Sequence, residues 1–360
     1  MPHIKCYVAA LILCVAAGTT VARAQGTSPG EPFAALPRQE PVFPHGLFVT
    51  TGIEGDPRRD AAVALERERQ TDSGVVLKGE RQTDSAVALP NASCPLTSSQ
   101  LTAVRTGVAS AFVGVNAYLY HYFKKAWWSG ERAPHFFFHA DWDQEFRDQD
   151  KFGHMLGGYH LARFGYLGLR AACVSPKKAI IWSAAYAAAF QLQIEIFDGQ
   201  FKKYGFSYAD MIANTTGQAL AVMQEVYPSW RAVKPTFSYH KTRALRSGMS
   251  AELRPSLDYA GQTYWFSTDM TRILPEGTRE YWPGFIRFSV GHSVTDWISS
   301  ETGESFRGKR KIILSLDFDP EKLPGNAPFW RTIKHTLSYY RFPAPALELT
   351  PKVHMSPWYR

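Results

Sequence analysis

Apolar residues recur at helical spacing through Leu101, Val104, Val108, Phe112, Val115 and Leu119, the stripe expected of an amphipathic helix. Thr97-Ser-Ser-Gln100 just ahead of it is a capping-box pattern. A second helix is expected from about Asp150, with Phe152, Leu156, Tyr159 and Arg163 along it. Ser175 followed by Pro176 supplies a cap and a first-turn proline for a third. From Ala179 to Ile194 that third helix carries only Ser183, Gln191 and Gln193 as polar residues. At 1.5 Å per residue this run reaches about 24 Å, short of a bilayer core of about 30 Å. Such a helix is either the centre of a bundle or partly embedded, and Lys177, Lys178, Glu195 and Asp198 close against its ends favour the bundle. Gly199 and Gly205 bracket a turn, and Ser207-Tyr-Ala-Asp210 is a second capping box that opens a fourth helix ending before Pro228.

After Pro235 the period changes from helical to alternating. Ile312, Leu314, Leu316 and Phe318 alternate with Lys311, Ser315, Asp317 and Asp319, and Ile286, Phe288 and Val290 alternate with Arg287 and Ser289. Residues 259–267 are rich in aromatic strand formers, and Pro and Gly punctuate the segments, so an antiparallel sheet is expected. Helices first and strands afterwards predict an α+β chain. We expect a helical bundle of about four helices over 94–230 and a β-rich region over 231–360. About five or six strands is fewer than the roughly eight of the smallest membrane barrels, so a membrane barrel is the less favoured reading, and the strands either close on themselves or cover the helices.

Two further segments precede these. A basic start through Lys5, an uncharged run from Cys6 to Gly18 and Ala22-Arg23-Ala24 form a secretory signature, so residues 1–24 are expected to be a removed signal peptide. Leu13 before Cys14 is too large for the usual lipid-acceptor site, so cleavage after Ala24 is expected rather than lipid anchoring. Residues 25–93 read as a polar linker in which the segment 68–73 recurs as 80–85, a composition that buries too little to order itself.

Charge then narrows the function. The chain carries a net +8, about +6 once Lys5 and Arg23 leave with the signal. The basic residues form no stripe and no nucleic-acid motif is present, so nucleic acid is set aside, whereas a membrane surface or another envelope component remains a fitting partner. Cys94 and Cys173 outlast the signal. They either pair, tying the start of the helical region to its second helix, or are two separate buried thiols.

The chemistry-bearing residues fall at helix ends. Asp150, Lys151 and His154 open the second helix, with Asp150 and His154 on one face. Glu195 and Asp198 close the third, and Asp210 and Asn214 open the fourth. Carboxylates with an imidazole suit a divalent cation, His154, Glu195 and Asp210 being the candidate ligands, or an acid–base pair. Asp150 and Asp210 also have a structural explanation, the first in the favour of the helix dipole for a first-turn carboxylate, the second as the last member of a capping box. Glu195 does not: it sits in the last turn of the most apolar helix, where the dipole opposes a negative charge. A partner is therefore expected, Lys151 or His154. Gly153 and Gly157 are spaced to let another helix approach the His154 face. His135, His139, Asp141 and Asp143 precede this helix in no recognisable metal-ligand spacing.

The set Asp150-Lys-Phe-Gly-His154, Glu195-Ile-Phe-Asp198-Gly199 and Gly205-Phe-Ser-Tyr-Ala-Asp210-Met-Ile-Ala-Asn214-Thr-Thr-Gly217 resembles the YfiM-type family of uncharacterised periplasmic lipoproteins. The C-terminal stretch is similar to longer members through Tyr259-Ala-Gly-Gln-Thr-Tyr-Trp265 and Ser315-Leu-Asp317-Phe-Asp319. A fainter similarity in residue order links the set to VanZ-like membrane proteins. The resemblance implies an envelope location and a polar site between helices, but no reaction. The chain also lacks a Gly-x-Ser-x-Gly elbow, a phosphate-binding Gly-Lys-Ser/Thr loop and a His-Glu-x-x-His motif. The leading expectation is therefore a non-enzymatic, membrane- or wall-associated envelope protein. The alternative is a metal-dependent hydrolase or transferase acting on a lipid or cell-wall precursor, with His154 or Glu195 as base.

Overall fold

A computed structural model describes residues 94–250 and 253–359. The expected signal peptide and linker lie outside the described residues. The fold is α+β: helices and an antiparallel sheet, with the long helices preceding the sheet strands.

Helix α1 spans Ser98–Ala126, and its capping box forms as the sequence implies, with Gln100 N–H donating to Thr97 Oγ1 and Thr97 N–H to Gln100 Oε1. A two-residue strand β1 (Phe138–His139) follows, then α2 (Gln149–Ala171), α3 (Pro176–Asp198), β2 (Phe206–Ser207) and α4 (Tyr208–Val226). β1 and β2 pair in parallel. Helix α3 runs one turn beyond Ile194, so Glu195 and Asp198 are helical. Its Ser175 is the N-cap residue but makes no side-chain capping bond.

Helices α2, α3 and α4 pack on one another. The closest approach is between α2 and α4, where a methyl group on Gly217 would overlap the Met155 carbonyl and one on Gly158 would overlap the Asn214 carbonyl. The glycines that let the helices meet are thus Gly158 and Gly217. Gly153 instead faces the Tyr264 hydroxyl of the sheet. Phe123, Trp128, Phe190, Ile194 and Phe201 form the apolar core between α1 and α3. A Cys94–Cys173 disulfide, with Cα atoms 5.5 Å apart, ties the start of α1 to the end of α2.

The sheet is an up-and-down meander of β3 (Val233–Tyr239), β4 (Gln262–Thr268), β5 (Ile286–Val294), β6 (Arg310–Phe318), β7 (Ala344–Glu348) and β8 (His354–Tyr359), in that spatial order. Short helices α5 (Arg243–Ser247) and α6 (Glu276–Arg279) interrupt it, and α7 (Pro328–Leu337) lies between β6 and β7. The start of α2 docks on β4 and β5. Gln149 donates to the Gln262 carbonyl at 2.9 Å and contacts His292 Nδ1 at 2.7 Å, while Phe152 stacks on His292 with centroids 4.2 Å apart.

Candidate functional site

The polar groups at the ends of α2, α3 and α4 converge. Lys151 enters from the first turn of α2 and its ammonium pairs with Asp150 Oδ2 at 2.8 Å, with Asp210 Oδ1 at 2.8 Å and with Asp141 from the preceding loop. One turn further along α2, His154 places Nε2 3.5 Å from Asp210 Oδ1 and Nδ1 3.8 Å from Glu195 Oε1 and 3.2 Å from Asn214 Oδ1. Glu195, Asn214, Asp210 and Lys151 are buried, whereas His154 keeps about a quarter of its side chain exposed (26 %).

The capping of α4 explains how Glu195 is held. In a full capping box the third helical residue accepts the N-cap N–H. Here Ser207 Oγ does accept from Asp210 N–H at 3.0 Å, but Asp210 turns its carboxylate to Lys151. Glu195 takes over the vacated role, accepting the Ser207 N–H through Oε2 at 3.2 Å. Ser207 Oγ in turn donates to Asp141 at 2.6 Å. A carboxylate from α3 therefore completes the cap of α4, and Asp210 is released to the lysine.

Behind the ion pairs lies an amide relay. Gln191 Nε2 donates to Asn214 Oδ1 and to the His154 carbonyl at 3.2 Å, and Gln218 donates to Gln191 Oε1 at 2.9 Å. Gln191 was conspicuous in the sequence only as one of few polar residues on α3. Its partners could not be read there, nor could the role of Asp141, which has no motif spacing to the rest. Asp198 lies in the same helix end but bonds elsewhere, accepting from Trp128 Nε1 at 2.6 Å. His139 bonds to the Tyr204 carbonyl at 2.6 Å, and Asp143 pairs with Arg147, Arg307 and Arg310, so neither joins the cluster.

Charges here are unequal: Asp141, Asp150, Asp210 and Glu195 stand against Lys151 and His154. Burial pushes Glu195 up to about 8, against the pull of His154. Burial likewise lifts Asp150 to about 6 despite Lys151, and Asp198 to about 6 despite the Trp128 bond. For Lys151 and His154 burial works against the charge, but the surrounding carboxylates outweigh it and hold both above their ordinary values. Asp141, opposed by burial, is held below its ordinary value by Lys151 and Ser207. A buried set with this imbalance keeps a proton on one carboxylate near neutral pH, and Glu195 is the member with the strongest reason to hold it.

Two groups of ligand atoms lie within 4.8 Å of one another: His154, Glu195 and Asp210, and Asp141, Asp150 and Asp210. In the second the Lys151 ammonium already occupies the space a cation would take. In the first, Glu195 Oε1 is buried without a hydrogen-bond partner. Of the two groups the first is the better fit for a metal ion.

Residues 143–226 match the family described as predicted periplasmic lipoprotein (DUF2279). The matched stretch runs from the turn before α2 to the end of α4, so it contains every residue of the cluster except Asp141. The expected likeness of the C-terminal stretch lies outside it. No curated protein and no solved structure matches the chain.

Proposed function

We propose that this chain is an exported envelope protein, associated with membrane or cell-wall material, whose Lys151 network is a structural lock rather than a catalytic centre. The carrying observation is that one ammonium faces the carboxylates of Asp141, Asp150 and Asp210. The lysine ties the three aspartates together, and an amide relay of Gln218, Gln191 and Asn214 lies behind them. Such a buried ionic set fixes the register of α2, α3 and α4, since any slip strands a charge at a cost of several kcal/mol. The periplasmic description of the matched family supports export, as does the disulfide, a bond favoured in oxidising compartments.

A second reading rests on the unpartnered Glu195 Oε1 beside the quarter-exposed His154. With Asp210 these residues would hold a divalent cation, which would polarise a phosphoryl or acyl oxygen of an envelope precursor. Elemental analysis of the protein purified from its native envelope without chelator separates the two. Near-stoichiometric divalent metal, lost in the His154→Ala, Asp210→Asn double variant, overturns the lock reading. Metal absent from both samples, with Lys151→Met destabilising the fold, is the expected result.

A further inference from the structure

The alternating strands of the C-terminal half bury a polar row beside the apolar cluster of Trp265, Ile313 and Ala346, and leave an apolar row exposed on the other face. One cross-strand row, Ser267–Ser289–Ser315–Ala346–Ser356, belongs to the inner face, and its first three serines are buried. Beside it Arg287 and Asp317, also buried, pair at 2.7 Å. Ser267 donates to Asp317 at 2.8 Å, and Thr236 and Ser289 bond to Ser267 at 2.8 and 2.9 Å. These bonds tie the polar groups together, and the apolar cluster of Trp265, Ile313 and Ala346 packs on the same inner face.

The other face carries the row Phe266–Val290–Leu314–Leu347–Met355, with Leu316 and Phe318 continuing along β6. Val290 is 40 % exposed, Leu316 39 % and Met355 70 %. Helix α7 repeats the inversion independently. Phe329, Trp330 and Leu337 point outward, while Lys334 is buried and donates to the carbonyls of Leu323 and Gly325 at 2.7 and 2.6 Å.

We infer that the part of this face left uncovered by α2, which docks on its Tyr264 and His292, lies against the hydrocarbon of a lipid bilayer. Apolar side chains out and polar side chains in is the pattern of strands in a membrane. A protein interface would show an apolar centre with a polar rim on every side. Here the residues are graded along the strands instead. Tyr281, Trp282 and Phe285 cluster at one end, next to Phe318, as aromatic residues do at a bilayer interface. Exposed Lys241 and Arg243 follow the end of β3 on the opposite side, placed for anionic headgroups. From Ile312 to Phe318 the apolar run spans about 20 Å at 3.3 Å per residue, close to the roughly 25 Å band of membrane strands.

This deepens the membrane-associated reading above and rests on it. The test is flotation of the full purified chain with vesicles of phosphatidylethanolamine and phosphatidylglycerol, in high salt. The wild type is expected to float. The Val290→Lys, Leu316→Lys variant is expected to lose about tenfold or more of the vesicle-bound fraction, with an unchanged melting curve in the absence of lipid, because exposed positions tolerate lysine in water. Should that variant not fold, quenching of Trp330 by bromine-labelled acyl chains, compared with Trp330→Phe, gives the same readout. A wild type that stays at the bottom of the gradient and sediments with cell wall overturns the inference together with the membrane reading. A wild type that floats while the lysine variant floats equally overturns only the assignment of this face. A lipid-free dimer abolished by the lysine pair also overturns it, in favour of a second copy of the chain.

Discussion

The helical and β-rich halves both bury charge, but they balance it in opposite ways. Among the helices, four carboxylates face one lysine and one histidine, so the excess is absorbed by protonation, chiefly of Glu195. In the sheet, Arg287 meets Asp317 as a pair, and Ser267 links Asp317 to the hydroxyls of Thr236 and Ser289. The first arrangement is sensitive to which proton is where. The second is balanced in charge at that pair, one cation to one anion.

The largest expected effect comes from removing the cation on the helical side. Lys151→Met leaves Asp141, Asp150 and Asp210 facing one another, and should cost about 3–5 kcal/mol in denaturant unfolding. Neutralising Asp150 as well should recover little, because two carboxylates remain. A full recovery would mean that the network behaves as a simple pair, and the contrast with the sheet would break.

The matching experiment on the sheet is Arg287→Met, with a similar loss of about 3–5 kcal/mol. Here the Arg287→Met, Asp317→Leu double variant should regain most of it, as replaced buried pairs often do. Non-recovery would place the hydroxyl row, rather than the ion pair, at the centre of that core.

The disulfide acts on one half alone. Cys94→Ser with Cys173→Ser should lower stability by about 2–4 kcal/mol, and hydrogen exchange should accelerate in α1 and α2 while the sheet strands keep their protection. Equal loss in both halves would show that they unfold as one unit.

The smallest effect is titration. Glu195 titrates near 8 in the folded chain and at 4.5 in its ordinary state. A carboxyl raised on folding stabilises fully below its unfolded value and loses that contribution as pH climbs to the folded one. Asp150 and His154, both raised, add to the same trend. Stability should therefore fall steadily as pH rises from 5 to 8, and Glu195→Gln should flatten the curve. A profile that rises over this range would move the buried proton off Glu195.

Much of the fold was legible because its signals are local. The Thr97–Gln100 box, Pro176 and the Ser207 cap mark helix starts through backbone groups a few residues away, and the alternation from Ile286 to Phe318 marks strands whatever lies beside them. The suspicion about Glu195 was legible for the same reason, a helix end being a local electrostatic fact. Its partner was half legible: His154 lies 3.8 Å away, whereas Lys151, the other candidate, is taken by three aspartates.

What the chain could not disclose depends on distance across the fold. Asp141 reaches Lys151 only because the loop before α2 folds back over it. Glu195 completes the cap of α4 only because α3 ends beside Ser207, and of the spaced pair Gly157 faces Gln191 of α3 while Gly153 faces the sheet, the α2–α4 approach lying at Gly158 and Gly217. The sequence by itself determined that β5 and β6 have one polar and one apolar face, since a strand's side chains must alternate. Which face is buried was decided by the tertiary structure, where the Arg287–Asp317 pair and the hydrogen-bonded serine row share the interior with Trp265, Ile313 and Ala346.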